Sequence, residues 1–172
     1  EWLGGPLASI IAIKYYINFL EKNTELDINK FNEVTNSYKV FPNKFIERLT
    51  FHLLNAEIRF NKTMSFEQIS EYRGFNQRLG KDTGSVTLVL GAGNVSSIPF
   101  LDVLFHLVAK RSSIILKLNP VNDYLNPVFR KVFYEFIQKG YITVVNGDIP
   151  TSKYLCEHPS IDAIHLTGSN YT

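Results

Sequence analysis

An α/β fold, a doubly wound parallel sheet of Rossmann type preceded by a helical region, follows from three features of the sequence. Between Ser85 and Leu166, short apolar runs alternate with segments of helical period in the order β-α-β-α-β-α-β. Val86, Leu88, Val89 and Leu90 form a run without polar alternation, as a strand covered on both faces of a parallel sheet requires. Gly91 and Gly93 follow it directly; without a Cβ they let the backbone turn sharply and let another group approach closely. Parallel strands joined by helices cross over right-handedly, which sets helices on both faces of the sheet.

In chain order, Leu7, Ile10, Ile11, Ile13, Ile17 and Leu20 recur at helical spacing and predict one buried helix. Lys14 interrupts the apolar run, and no basic leader or cleavage site accompanies it, so no stable membrane insertion is expected. Residues 23–39 read as loop with a short helix near 29–34. Pro42 opens a second helix that runs to Asn55, with Phe45, Ile46, Leu49, Leu53 and Leu54 on one stripe. Ser65 and Gln68 have capping-box spacing, and Phe66, Ile69, Tyr72 and Phe75 continue as a third helix ending between Gly74 and Gly80. A polar connector at 81–84 marks the expected boundary between a helical region, 1–84, and the Rossmann-like domain of alternating strands and helices, 85–172.

Beyond that boundary a helix opens near Pro99, and Ser112 to Leu118 is the second strand. Residues 123–139 form a helix closed by Gly140, with Leu125, Val128, Val132, Phe133, Phe136 and Ile137 on its apolar face. Tyr141 to Val145 is the third strand, Pro150 to Glu157 a short helix and Ile161 to Leu166 the fourth strand.

Composition narrows the function classes. Eighteen Lys and Arg against 16 Asp and Glu leave no field that would draw nucleic acid. The single cysteine, Cys156, cannot form an intramolecular disulfide, which suits the cytoplasm. It lies in a helical stretch and reads as a small buried hydrophobe. The four histidines, His52, His106, His158 and His165, show no metal-ligand spacing.

Ligands of open parallel sheets collect outside the carboxyl ends of the strands. The loops there are Gly91 to Asn94, Lys117 to Pro120, Asn146 to Asp148 and Thr167 to Asn170, all small, polar or cationic. The usual dinucleotide fingerprint fails twice. Ser96 stands where its third glycine would be, and the second strand ends on Lys117 rather than on a ribose-binding acid.

His158-Pro159-Ser160-Ile161-Asp162-Ala163-Ile164-His165-Leu166-Thr167-Gly168-Ser169 resembles the H-P-x-(I/V)-D-x-(I/V)-x-(F/I)-T-G-S segment of the aldehyde dehydrogenase superfamily. Leu116-Lys117-Leu118-Asn119-Pro120 is similar to that family's L-K-P-S-E strand end, and Val144-Val145-Asn146-Gly147 to its N-V-(V/L)-x-G. Asn94 falls where the family has the asparagine of P-W-N-x-P. The stretches from Gly91 to Pro99 and from Lys117 to Asn122 look closest to the acyl-CoA reductase branch, of the kind that supplies long-chain aldehyde to luciferase. The resemblance covers roughly residues 85 to 172.

The resemblance implies an NAD(P)-dependent oxidoreductase acting on an acyl-CoA or an aldehyde, with NADP, or NAD, as cofactor and a homo-oligomeric intact enzyme. Asn94 would donate its amide to an oxyanion; otherwise it satisfies a left-handed turn after Gly93. Lys117 would meet the adenosine ribose or its 2′-phosphate, with Asn119 and Gly147 beside it; otherwise it is a solvated strand-end lysine. Gly168 and Ser169 would meet the pyrophosphate. Pro120 replaces the glutamate that holds the ribose in many relatives, which shifts the expectation toward NADP through Lys117. The family's cysteine nucleophile and glutamate base lie downstream of T-G-S, so the chain is expected to be a fragment without the catalytic half. A non-catalytic nucleotide-binding module is the alternative.

Overall fold

The computed structural model describes residues 2–22, 26–72 and 84–168. Two compact units divide the chain: Glu1–Lys22 with Asn76–Thr172, and Asn23–Phe75. The amino-terminal helix therefore belongs with the carboxyl-terminal sheet, across the boundary expected from sequence at residue 84.

In the larger unit a π-helical turn, Leu3–Leu7, leads into α1, Ala8–Lys22. The parallel sheet comprises β4 (Ser85–Leu90), β5 (Ser112–Lys117), β6 (Ile142–Val145) and β7 (Ala163–Leu166), in the order β6-β5-β4-β7. Its connections are α4 (Ser97–Leu104) with a π-helical segment Phe105–Ala109, then a 3-10 turn Pro120–Leu125 with α5 (Asn126–Val132) and α6 (Tyr134–Gln138), then α7 (Ile149–Glu157). This is an α/β architecture compatible with a Rossmann-like arrangement.

Register explains the core. Thr87, Ile114 and Ile142 lie side by side across the sheet, as do Val89, Leu116 and Val144, and alternation puts both rows on one face. Onto that face pack Phe100, Val103 and Leu104 of α4, Phe129 of α5 and Phe133 after it, with Ile13 and Tyr16 of α1 against them. Phe100 and Phe133 stack at 5.1 Å between ring centroids. Each such side chain, fully withdrawn from water, contributes about 2 kcal/mol.

The predicted 123–139 helix is divided at Phe133, which leaves helical dihedrals (ψ +17°) and separates α5 from α6. Its buried face is Leu125, Phe129, Phe133 and Ile137, four apart, while Val128, Val132 and Phe136 stay exposed. Gly140 is the expected stop: at φ +76° it lets Tyr141 N bond back to Phe136 O at 2.9 Å. Asp162 of the H-P-S-I-D stretch fastens β7 to β4. Its carboxylate accepts from Val86 N at 2.8 Å, and its own N–H donates to Val86 O at 3.0 Å.

Over its described residues, the smaller unit corrects the readings of 23–39 as loop with a short helix and of Pro42 to Asn55 as one helix. A 3-10 turn, Ile28–Lys30, precedes an antiparallel sheet of β1 (Phe31–Asn32), β2 (Ser37–Phe41) and β3 (Ala56–Arg59), in that order. The second helix shrinks to α2, Phe45–Thr50, and the remainder of its expected span, 42–44 and 51–55, forms the turns that join it to β2 and β3. Phe45, Ile46, Leu49 and Leu53 of the predicted stripe are exposed. The capping box at Ser65 forms as expected and opens α3, Phe66–Tyr72: Gln68 N donates to Ser65 Oγ, and Ser65 N to Gln68 Oε1. The expected end of that helix and the 81–83 connector lie outside the described residues. No described helix is long and apolar enough to cross a membrane.

Candidate functional site at the carboxyl edge of the parallel sheet

Because the sheet is parallel, the ends of its four strands lie on one edge, and strand order reverses between β4 and β7. The glycine loop after β4 is held from beneath. Gly91 N donates to Lys117 O at 2.9 Å, carrying the β4–β5 pairing one residue past the strand. A Cβ on Gly93 would stand 2.9 Å from Cγ of Asn119, so the loop passes directly over that side chain. Asn119 Oδ1 accepts from Val121 N and caps the 3-10 turn. The predicted cofactor residue Asn119 is thus a turn cap that supports the glycine loop.

Asn122, to which the sequence assigns no role, is the stronger clamp. Only 4 % exposed, it donates from Nδ2 to Ala92 O at 2.9 Å. Asn122→Ala leaves a buried carbonyl unpaired and is expected to cost about 2 kcal/mol. Denaturant melts of the variant and of the wild type measure that loss. A loss under half of this would mean that water replaces the amide. Nothing in the spacing of Asn122 separates it from an ordinary turn former.

Asn94 sits at the tip of the loop, exposed, and among the described residues no hydrogen bond engages its amide. The left-handed alternative fails: the described non-glycine residues with positive φ are Asn36 and Arg111. Asn94 is not needed for the turn. Its neighbours deliver α4, whose cap residue Ser96 makes no side-chain capping bond.

Lys117, at the end of β5, is 5 % exposed, which removes the reading as a solvated lysine. Burial lowers its pKa, while the charges of Asp123 and Asp148 oppose that shift. These two carboxylates, with Pro120, Gly147 and Thr151, line an open pocket of about 440 Å³. Asp123 Oδ1 is buried there and has no hydrogen-bond partner among the described residues. Asp148 caps α7 through Thr151 N and Oγ1, bonds that hold its carboxyl below the usual range. Gly147 has φ +156° and lies against Thr151. Asp123, one turn after Pro120, and Asp148, from the next loop, thus reach the same pocket from two segments.

At the end of β7, Thr167 and Gly168 reach the same edge, and Ser169 lies outside the described residues. Sequence reasoning missed what surrounds them. Thr167 Oγ1 donates to Asp102 Oδ2 at 3.0 Å, and His165 Nε2 lies 3.2 Å from both Asp102 Oδ1 and Thr167 Oγ1. His106 packs against His165 at 4.7 Å between ring centroids, and its buried Nε2 has no partner among the described residues. Burial, then the neighbouring His165, lowers its pKa. The signal in the sequence was a polar His165 inside an otherwise apolar strand. Among the described residues no cluster of His, Cys, Asp and Glu fits a metal ion. Cys156 is on the last turn of α7, partly buried, toward the amino edge of β7.

The chain matches no family model, no curated protein and no solved structure.

Proposed function

We propose that this chain is the cofactor-binding part of an NAD(P)-dependent oxidoreductase of the aldehyde dehydrogenase type, built on a doubly wound sheet. Its reaction is the reduction of an acyl-CoA thioester to an aldehyde in the cytoplasm. The observation that carries the reading is the unengaged amide of Asn94, presented on a loop that Asn122 clamps at the carboxyl edge of the parallel sheet. A donor carried on a clamped loop and without a partner among the described residues suits an oxyanion that exists only during reaction.

The residues present fit a dinucleotide. Asp123 Oδ1 is a buried acceptor with no donor, as a ribose hydroxyl would require, and Lys117 is a buried cation beside it. Gly147 leaves the pocket wall bare, and Gly168 offers a backbone without a side chain at the end of β7. When bound, the nicotinamide supplies the hydride. Lys117 and Asp123 hold the adenosine end, and Asn94 stabilises the negative charge on the carbonyl oxygen during attack and hydride arrival. Cys156 is not the nucleophile, because α7 carries it away from this edge.

NADP is preferred through the charge of Lys117, and Asp123 and Asp148 reduce that preference to about tenfold. Titration of both cofactors against wild type and Lys117→Met, followed by nicotinamide fluorescence, tests this. The expected result is loss of the NADP preference in the variant. An unchanged ratio removes the role of Lys117, and failure of the wild type to bind either cofactor at millimolar concentration removes the reading itself.

A further inference from the structure

The groups around His165 take no part in the proposed chemistry, and their hydrogens can be assigned one by one. As a carboxylate, Asp102 of α4 offers acceptors only. Thr167 donates its hydroxyl to Asp102 Oδ2 at 3.0 Å, and the hydrogen facing Asp102 Oδ1 at 3.2 Å therefore belongs to His165 Nε2. The same Nε2 lies 3.2 Å from Thr167 Oγ1, which still has lone pairs to accept with. Three side chains thus close a ring of hydrogen bonds that ties the carboxyl end of β7 to α4. The tie matters because β7 is an edge strand, paired to β4 alone. Asp162 fastens its amino end to Val86, and Thr167 fastens the other end. Leu90 and Leu166 are register partners, so Thr167 leaves the sheet beside Gly91, at the base of the loop that carries Asn94.

His106, on the π-helical segment, sits against this ring without joining it. Its imidazole packs on that of His165, and its buried Nε2 has no partner among the described residues. A proton added there would bury a cation with an unpaired N–H, and both oxygens of Asp102 are already engaged. Burial and His165 push the His106 pKa down, Asp102 pushes it up, and Lys110, one turn later, pushes it down. Lys110 Nζ stands 5.7 Å from the centroid of the Phe105 ring, and Phe105 meets His106 edge-on at 5.2 Å. From β4, the register neighbour of His165 is Val89, which is fully buried and uncharged.

We infer that His106 is the proton sensor of a latch, Asp102–His165–Thr167, which holds the end of β7 while His106 is neutral and releases it when His106 is protonated. A protonated His106 can satisfy its new N–H in water or on an oxygen of Asp102. The first move takes away the ring packed on His165, and the second displaces Thr167 or His165 from the carboxylate. In the open state His106 meets water and keeps its ordinary pKa, which lies above its value in the closed state. The closed state is therefore fully favoured above about pH 6.5 and loses ground as the pH falls toward the lower value. Across that interval the ratio of open to closed rises by up to about tenfold per pH unit.

NMR of the intact protein between about pH 5 and pH 8 tests the latch through the imidazole titrations and the exchange of backbone amides in β7 and β5, corrected for intrinsic exchange. His106 is expected to titrate below the ordinary imidazole value. Protection in β7 should fall by up to about tenfold per unit below about pH 6.5, while central β5 stays unchanged. His106→Phe keeps a ring against His165 and removes the titrating nitrogens, so its β7 protection should not follow pH. Thr167→Val keeps the shape and removes the hydroxyl. Its β7 protection should be lower at every pH, by about fivefold, the equivalent of one ordinary hydrogen bond. The latch is overturned by a His106 that titrates at or above the ordinary value, by β7 protection that is flat in the wild type, or by the same pH dependence in His106→Phe. It is equally overturned by wild-type protection in Thr167→Val, or by a loss that β5 shares, which would be acid unfolding of the whole sheet. Should His106→Phe not fold, the wild-type titration and Thr167→Val decide the question. None of these measurements involves a cofactor, so their outcome is separate from that of the dinucleotide assignment.

Discussion

Gly147→Ala unfolds about 3 kcal/mol more easily than the wild type, a fall in Tm of roughly 6 to 12 °C for a chain of this length. Two separate costs combine. Gly147 has φ +156°, a conformation that L side chains rarely adopt, and forcing alanine into it costs about 1 kcal/mol. The new methyl would also stand 2.6 Å from Thr151 Oγ1 and 2.7 Å from its Cβ and Cγ2. Because the Cβ itself is in the way, no rotamer of Thr151 relieves the contact. The first turn of α7 must move, and with it the Asp148 cap that accepts from Thr151 N. Overpacking of that kind costs about 2 kcal/mol. Gly140→Ala is the control. At φ +76° it carries the backbone cost, but a Cβ there meets nothing within 4 Å, so its loss should stay near 1 kcal/mol. Equal losses at the two positions, measured by urea unfolding, would show that contact with Thr151 contributes nothing. Where the contact does act, the Gly147 variant should also bind the proposed cofactor more weakly, since the displaced turn forms one wall of the pocket with Asp123.

The parallel sheet was legible because its signals are local. Short, mostly apolar runs marked β4 to β7, and Gly91, Gly93 and Gly140 punctuated them within a residue or two of the observed ends. The smaller unit was illegible for the complementary reason. β1, β2 and β3 are short, and their residues include Asn32, Lys39 and Glu57, so neither alternation nor a continuous apolar run distinguishes them from loop. Phe45, Ile46 and Leu49 have the spacing of a buried helical face and yet are exposed, since period reports which residues share a face and not whether anything covers it. At the site, Asn94, Lys117 and Gly147 could be placed on the correct edge from strand order alone. Asn122, Asp123 and the Asp102–His165–Thr167 cluster could not. Asn122 acts on Ala92 and Asp102 on Thr167, partners remote in sequence, and Asp123 acts on Lys117 only through the fold of the turn between them.

On the proposed reading, Asn94→Ala lowers kcat for acyl-CoA reduction by two to three powers of ten, roughly the loss expected when one oxyanion donor is removed. The size of the effect depends on when the amide is used. In the resting chain Asn94 is exposed and has no hydrogen-bond partner among the described residues, so removing it leaves nothing unpaired and should shift Tm by no more than about a degree. Its backbone is not left-handed, so alanine brings no conformational strain there either. The glycine loop keeps its own supports, Gly91 N on Lys117 O and Asn122 Nδ2 on Ala92 O. Cofactor affinity should therefore hold within about twofold, and KM should change little, since the ground-state carbonyl carries only a fraction of the charge the amide is placed to meet. Asn94→Asp separates charge from shape. The side chain is nearly isosteric, but it turns a donor toward the oxyanion into an anion, and kcat should fall below that of Asn94→Ala. Parallel measurement of kcat, KM, cofactor Kd and Tm in the three proteins decides the matter. A drop in Tm or in cofactor affinity as large as the drop in kcat would make Asn94 a support of the loop and end its assignment to the oxyanion.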